Sequence, residues 1–230
     1  MADYLITGCS GGGKSTLIAE LADRGFRIVA EPGRRLIADG ITPWDDLCGF
    51  LLAAVDTARA DLEIHRSTRE PVFYDRGLID ALAGLERLGA GSVMDMLSSG
   101  RPYEGLVFIA PPWPEIHATD TDRPHAFDEA VEEHRHLAKL LPALGYRPVE
   151  LPPTSVAERA ALVLNALGIR YSAACDIEPL PDPIARAGDG WCSNVAGLRG
   201  PYQRDRARTA PHRVLRPCRS RHESDHHPAA

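Results

Sequence analysis

Residues 8–16 read Gly8-Cys9-Ser10-Gly11-Gly12-Gly13-Lys14-Ser15-Thr16, and the first eight match the spacing G-x-x-x-x-G-K-[ST] of a P-loop. Glycine suits this work because successive backbone N–H groups must turn inward on phosphate oxygens with no side chain in the way. A helix starting at the end of the loop adds its positive terminus. Lys14 is then expected to reach the β- and γ-phosphates, and the Ser15 hydroxyl to ligate Mg²⁺. For this composition, chance produces the pattern on the order of once in a thousand such chains. Lysine is also scarce: Lys14 and Lys139 are the two lysines among 26 basic residues, so one at this position carries weight. The expected ligand is a nucleoside triphosphate, ATP or GTP, with Mg²⁺.

Other residues could act on the same ligand. Glu31-Pro32 closes an apolar run and is followed by Arg34 and Arg35. At a strand's carboxyl end, a carboxylate can take a proton from an acceptor hydroxyl and the arginines can bind an anionic group. The same residues also suit a solvated helix start. Glu31 is expected on the strand that neighbours the P-loop strand across the crevice. Asp75-Arg76-Gly77 ends the run Pro71-Val72-Phe73-Tyr74. An acid in that place is the usual second holder of Mg²⁺, with Arg76 over the phosphates, although such an Asp can also cap a helix. Asp120-Thr121-Asp122-Arg123-Pro124 suits a lid whose Arg123 swings over the phosphates, or equally a solvated turn. Pro152-Pro153-Thr154-Ser155 can flank an adenine or form a turn and helix cap.

These residues need a scaffold, and the hydrophobic pattern supplies one. Strands are expected over residues 3–7, 26–30, 71–75, 105–110 and 146–151. Helices are expected over residues 15–24, from about Pro43 through Leu62, and over residues 77–87, 124–141 and 155–167. Strands alternating with helices imply right-handed βαβ units and an α/β fold: a five-stranded parallel sheet flanked by helices. Beyond Gly168 the periodicity stops. Residues 170–230 hold ten arginines, no lysine and seven acids, against a chain total of −6, and are expected to form a disordered Arg/Pro-rich tail beside a domain of residues 1–169. The acidic body offers no footprint for duplex nucleic acid. No apolar run is long enough to span a membrane, and no signal peptide is visible. Five cysteines without a C-x-x-C pair argue against a disulfide framework or a zinc site and suit a cytoplasmic protein.

Several of these stretches follow one another in a familiar order: residues 8–16, Glu31-Pro32-Gly33-Arg34-Arg35, residues 73–82, the segment around Pro111-Pro112-Trp113-Pro114, residues 119–123, and 144–160. Over about residues 3–168 the chain resembles a small AAA-like ATP-binding family. That family groups the nicotinamide riboside kinase domain of a bacterial NAD regulator with the TRPL translocation defect protein. The resemblance implies a P-loop NTPase fold of the nucleoside/nucleotide-kinase kind and binding of ATP or GTP. Strand-end Glu-Pro and Asp-Arg pairs also occur in deoxynucleoside and thymidylate kinases, where the acid aids the acceptor hydroxyl or the metal. No sensor or arginine-finger segment of a ring-forming motor is recognisable. The expected function is a Mg²⁺-dependent phosphotransferase acting on a small hydroxylated metabolite such as a nucleoside or nucleotide, with Lys14, Glu31, Asp75, Arg76 and Arg123 as catalytic candidates. The alternative is a nucleotide-dependent switch or slow NTPase.

Overall fold

The computed structural model describes residues 2–97, 100–116 and 127–170. Arg123 with its lid segment, and residues 171–230 of the expected tail, lie outside the described residues. Five strands form one parallel sheet: β1 (Asp3–Gly8), β2 (Arg27–Val29), β3 (Val72–Asp75), β4 (Leu106–Ala110) and β5 (Arg147–Glu150). Their order is β2-β3-β1-β4-β5. The inner strands β1, β3 and β4 are buried almost throughout, while the edge strands β2 and β5 are mostly not. That is the burial expected of a parallel sheet covered on both faces.

Alternation along the strands divides the core in two. Leu5, Tyr74 and Val107 point to one face, where α3 (Leu47–His65), α4 (Leu78–Arg87) and α6 (Phe127–Ala143) pack through Ala54, Leu82 and Leu137. Ile6, Phe73 and Phe108 point to the other, against Leu17 and Leu21 of α1 (Lys14–Asp23) and Ala160, Val163 and Leu164 of α7 (Val156–Ala166). Ser155 caps α7 reciprocally with Glu158, its hydroxyl accepting the Glu158 N–H and its own N–H donating to Glu158 Oε2 at 3.2 Å.

The structure corrects several local expectations. The long helix begins at Leu47 and not near Pro43, because the Asp46 carboxylate accepts the Gly49 N–H at 2.8 Å and so caps it there. Pro43 and Trp44 remain in the preceding loop. Two short helices join these, α2 (Pro32–Ala38), the helix start that Glu31, Arg34 and Arg35 also suited, and α5 (Val93–Met96), which the sequence pattern did not indicate. The first starts directly after Glu31, with Pro32 in the opening turn where its missing N–H costs nothing. Strand β2 covers three residues and lies at the sheet's edge. Glu31 therefore does not follow the strand beside the P-loop strand: β3 is inserted between them, pairing Val29 with Tyr74 and Leu5 with Tyr74.

Candidate functional site

Residues 9–13 form the loop that joins β1 to α1. Gly8, at φ 116°, ends the strand so close to β4 that a Cβ there would lie 2.2 Å from the Ala110 carbonyl oxygen. Gly13, at φ 71°, is the left-handed residue that launches α1. Lys14 is buried and turned back over the loop, its Nζ donating to the carbonyls of Gly8 at 3.0 Å and Cys9 at 2.6 Å. Burial pushes its pKa down and Arg76 adds to that, against the pull of Glu31, Asp75 and Glu133. Ser15 and Thr16 are exposed, the Thr16 hydroxyl donating to the Gly13 carbonyl at 2.9 Å. Cys9 is fully buried, and burial raises its thiol pKa. Ser10, Gly11, Gly12, Gly13, Lys14, Ser15 and Thr16 all line a cavity of about 1300 Å³, whereas Gly8 and Cys9 support the loop without lining it.

Asp75 closes β3 and is buried, with Oδ1 lacking any hydrogen-bond partner. Burial raises its pKa, opposed chiefly by the charge of Lys14. Asp75 does not line the cavity that Ser15 lines, but its orphaned buried carboxylate oxygen beside the charge of Lys14 is, like the exposed Ser15 hydroxyl, a hard-oxygen donor of the kind Mg²⁺ takes. Among the described residues no group of three or more His, Cys, Asp or Glu side chains is arranged to hold a metal ion by itself.

Arg76, expected over the phosphates, lines the same cavity as the phosphate loop. Its backbone is left-handed, at φ 56°, a conformation uncommon outside glycine. Its guanidinium sits inside a ring of three carboxylates. Nη1 and Nη2 donate to Glu133 at 2.5 and 3.2 Å, Nε is 3.4 Å from Glu31 Oε1, and Nη1 is 3.5 Å from Asp80 Oδ1. Glu133 Oε2 also accepts the Ser10 N–H of the P-loop at 3.3 Å. Burial disfavours the Glu133 charge, yet Arg76, Lys14 and the Ser10 N–H together outweigh it and hold the carboxyl down at about 2. Sequence reading passed over Glu133. Its signal lay in the spacing Ala130-Glu133-Leu137, which puts a carboxylate on the buried stripe of α6. Asp80 was legible as the acid at the third position of α4, where Oδ2 accepts the Gly77 N–H at 3.1 Å.

The two arginines after Glu31 part company. Arg34 lines the cavity and donates through Nε to Glu31 Oε2 at 3.0 Å. Arg35 turns away to the buried Asp61 of α3, at 3.1 Å through Nη1, and does not line the cavity. Beyond Glu31 the cavity continues between α2, α3, α4 and α6, walled by Ile37, Trp44, Phe50, Leu51, Ala81 and Leu137. Thr154 and Val156 line the same cavity, so the segment after β5 both starts α7 and borders the site.

Asp80 makes the site sensitive to pH. Burial pushes its carboxyl up to about 6, against Arg76 and the hydrogen bond from the Thr7 hydroxyl. Folded protein thus keeps this proton where the unfolded chain, titrating near ~4, has released it. The stabilisation from the protonated group is full below about pH 4 and is lost as the pH rises through about 6. Asp80→Asn, which cannot titrate, is expected to flatten that decline in melting temperature between pH ~4 and ~6. An unchanged slope in the variant would assign the titration to another group.

Comparison with known proteins places these features. The AAA domain family matches residues 3–159. Deoxyadenosine kinase from M. mycoides with bound dATP superposes with a TM-score of 0.56 at 14% identity, covering 72% of this chain and 99% of that one. Thymidylate kinase from Candida albicans gives 0.53 at 13% identity, covering 73% and 91%. At those identities the likeness establishes the fold, that of the P-loop nucleotide kinases. No curated protein matches the chain by sequence. No described helix is long and apolar enough to cross a membrane.

Proposed function

The chain belongs to the AAA domain family, and from that premise we propose that it is a Mg²⁺-dependent phosphotransferase, moving the γ-phosphoryl group of ATP or GTP to a hydroxyl of a small metabolite. One observation carries the choice. The cavity does not stop at the phosphate loop but continues past Glu31 into a compartment walled by α2, α3, α4 and α6. A nucleotide switch has no need of that space, whereas an acceptor does.

In this reading the loop amides and Lys14 hold the β- and γ-phosphates, while Ser15 and Asp75 hold the metal ion. A Mg²⁺ ion held there would neutralise charge on the phosphates. Glu31 orients the acceptor hydroxyl and takes its proton, standing where the two compartments meet. Arg34 and Arg76, each within 3.4 Å of a Glu31 oxygen, keep that carboxylate placed. Arg123 serves as the lid residue over the transferring group. The acceptor class is a nucleoside, a nucleotide or a cofactor precursor of the nicotinamide riboside kind. The activity resides in residues 1–169 of a cytoplasmic protein, with residues 170–230 dispensable for it.

The test is a screen of the purified protein for ATP or GTP consumption against nucleosides, nucleotides and cofactor precursors. Turnover that depends on one acceptor is expected. Hydrolysis indifferent to every acceptor would sink the phosphotransferase in favour of the switch.

A further inference from the structure

Among the described residues Arg159 is the largest fully buried side chain, 2% exposed; it borders the cavity beside the phosphate loop and has none of the roles above. The cap at Ser155 starts α7 so that Arg159 falls on the helix's fourth residue, facing the P-loop. Its Nη1 donates to the Gly13 carbonyl at 3.1 Å and its Nη2 to the Gly12 carbonyl at 3.0 Å. The guanidinium lies over the Trp113 ring, 5.6 Å from its centroid, and Nε is buried without a hydrogen-bond partner. Among the described residues no carboxylate pairs with it. A buried cation without a counterion is costly, and packing does not require it: Ala160, Val163 and Leu164 of α7 already cover the sheet. The fork's whole hydrogen-bonding effort goes to two carbonyls of the phosphate loop.

Peptide geometry says what that accomplishes. In a trans peptide the C=O and the following N–H point in opposite directions. The Gly12 carbonyl shares its plane with the Gly13 N–H, and the Gly13 carbonyl with the Lys14 N–H. Pinning both carbonyls outward therefore aims those two amides inward, and a positive charge on the carbonyl oxygens strengthens the amides as donors. Fit at this point is close. A Cβ on Gly13 would lie 2.6 Å from Arg159 Nη1, so glycine and arginine are matched across the sequence.

We infer that Arg159 is a positioning residue of the phosphate loop, its guanidinium holding the Gly12 and Gly13 carbonyls so that the amides of Gly13 and Lys14 face the incoming polyphosphate. This inference rests on the nucleotide-binding reading above. It differs from the role of Lys14, which meets the phosphates directly. Lysine cannot replace the arginine, because one ammonium on a flexible stem does not span two carbonyls as a rigid fork does.

The test uses the full chain and inorganic tripolyphosphate with Mg²⁺, a probe without base or ribose. Calorimetry on wild type, Arg159→Lys and Arg159→Met is expected to show a loss of roughly 10–100-fold in tripolyphosphate affinity for both variants. In ¹⁵N-labelled wild type the Gly13 and Lys14 amide protons should shift strongly on binding, and in Arg159→Lys they should not. A merely structural arginine would lower the melting temperature and leave affinity and amide shifts of the folded protein intact. Should Arg159→Met fail to fold, Arg159→Lys and the wild-type amide response decide the matter. Wild type that binds while folded Arg159→Lys binds equally well overturns this assignment alone. Wild type that binds neither tripolyphosphate nor ATP overturns the nucleotide reading and this assignment with it.

Discussion

Glu31→Gln is expected to bind Mg–ATP with near wild-type affinity while its acceptor-dependent turnover falls by roughly 10²–10⁴-fold. The substitution keeps the shape of the side chain and removes its ability to accept a proton. Phosphoryl transfer asks the protein mainly for in-line placement of the acceptor oxygen and for neutralisation of phosphate charge. In the proposed mechanism Lys14, the metal ion and Arg76 would attend to the second task, which leaves Glu31 for the first. Arg76 stays paired in the variant, because Glu133 and Asp80 remain at 2.5 and 3.5 Å from its Nη1. Binding and turnover measured side by side separate the possibilities. Joint loss of both would move Glu31 into the metal's surroundings or the scaffold, and loss of neither would remove it from the reaction.

Lys14→Ala is expected to weaken Mg–ATP and Mg–GTP binding by about 10–100-fold, the size of a charge-assisted contact of about 1.5–3 kcal/mol. The buried ammonium is held by the Gly8 and Cys9 carbonyls, so it stands ready to exchange those oxygens for phosphate oxygens. Burial lowers its pKa, and an arriving phosphate pulls the other way. Calorimetry reads the outcome directly. Equal affinity in wild type and Lys14→Ala would leave the loop without its proposed ligand.

Wherever the information was local, the sequence by itself determined the answer. The run from Gly8 to Thr16 is contiguous, and its glycines, lysine and hydroxyls announce a phosphate loop through backbone freedom and charge alone. The alternation of apolar runs and helical patterns announced five parallel strands with helices between them, because burial on both faces demands near-continuous apolar strands. Asp75 was legible for the same reason, as the polar residue that ends one of those runs.

Tertiary structure decided everything that depends on which faces meet. The order β2-β3-β1-β4-β5 puts β3 between Glu31's strand and the P-loop strand, a choice no strand records in its own residues. Arg76 and Glu133 are 57 positions apart, and Arg159 lies 147 positions from Gly12. In a chain with 24 arginines neither one stands out by type. Arg34 and Arg35 are neighbours in sequence, yet the helix on which they sit sends one to the cavity and the other to Asp61. Side-chain partnership across the fold is set by the packing of α2, α6 and α7 on the sheet. Periodicity reports which face of an element is buried, and not which partner awaits it there.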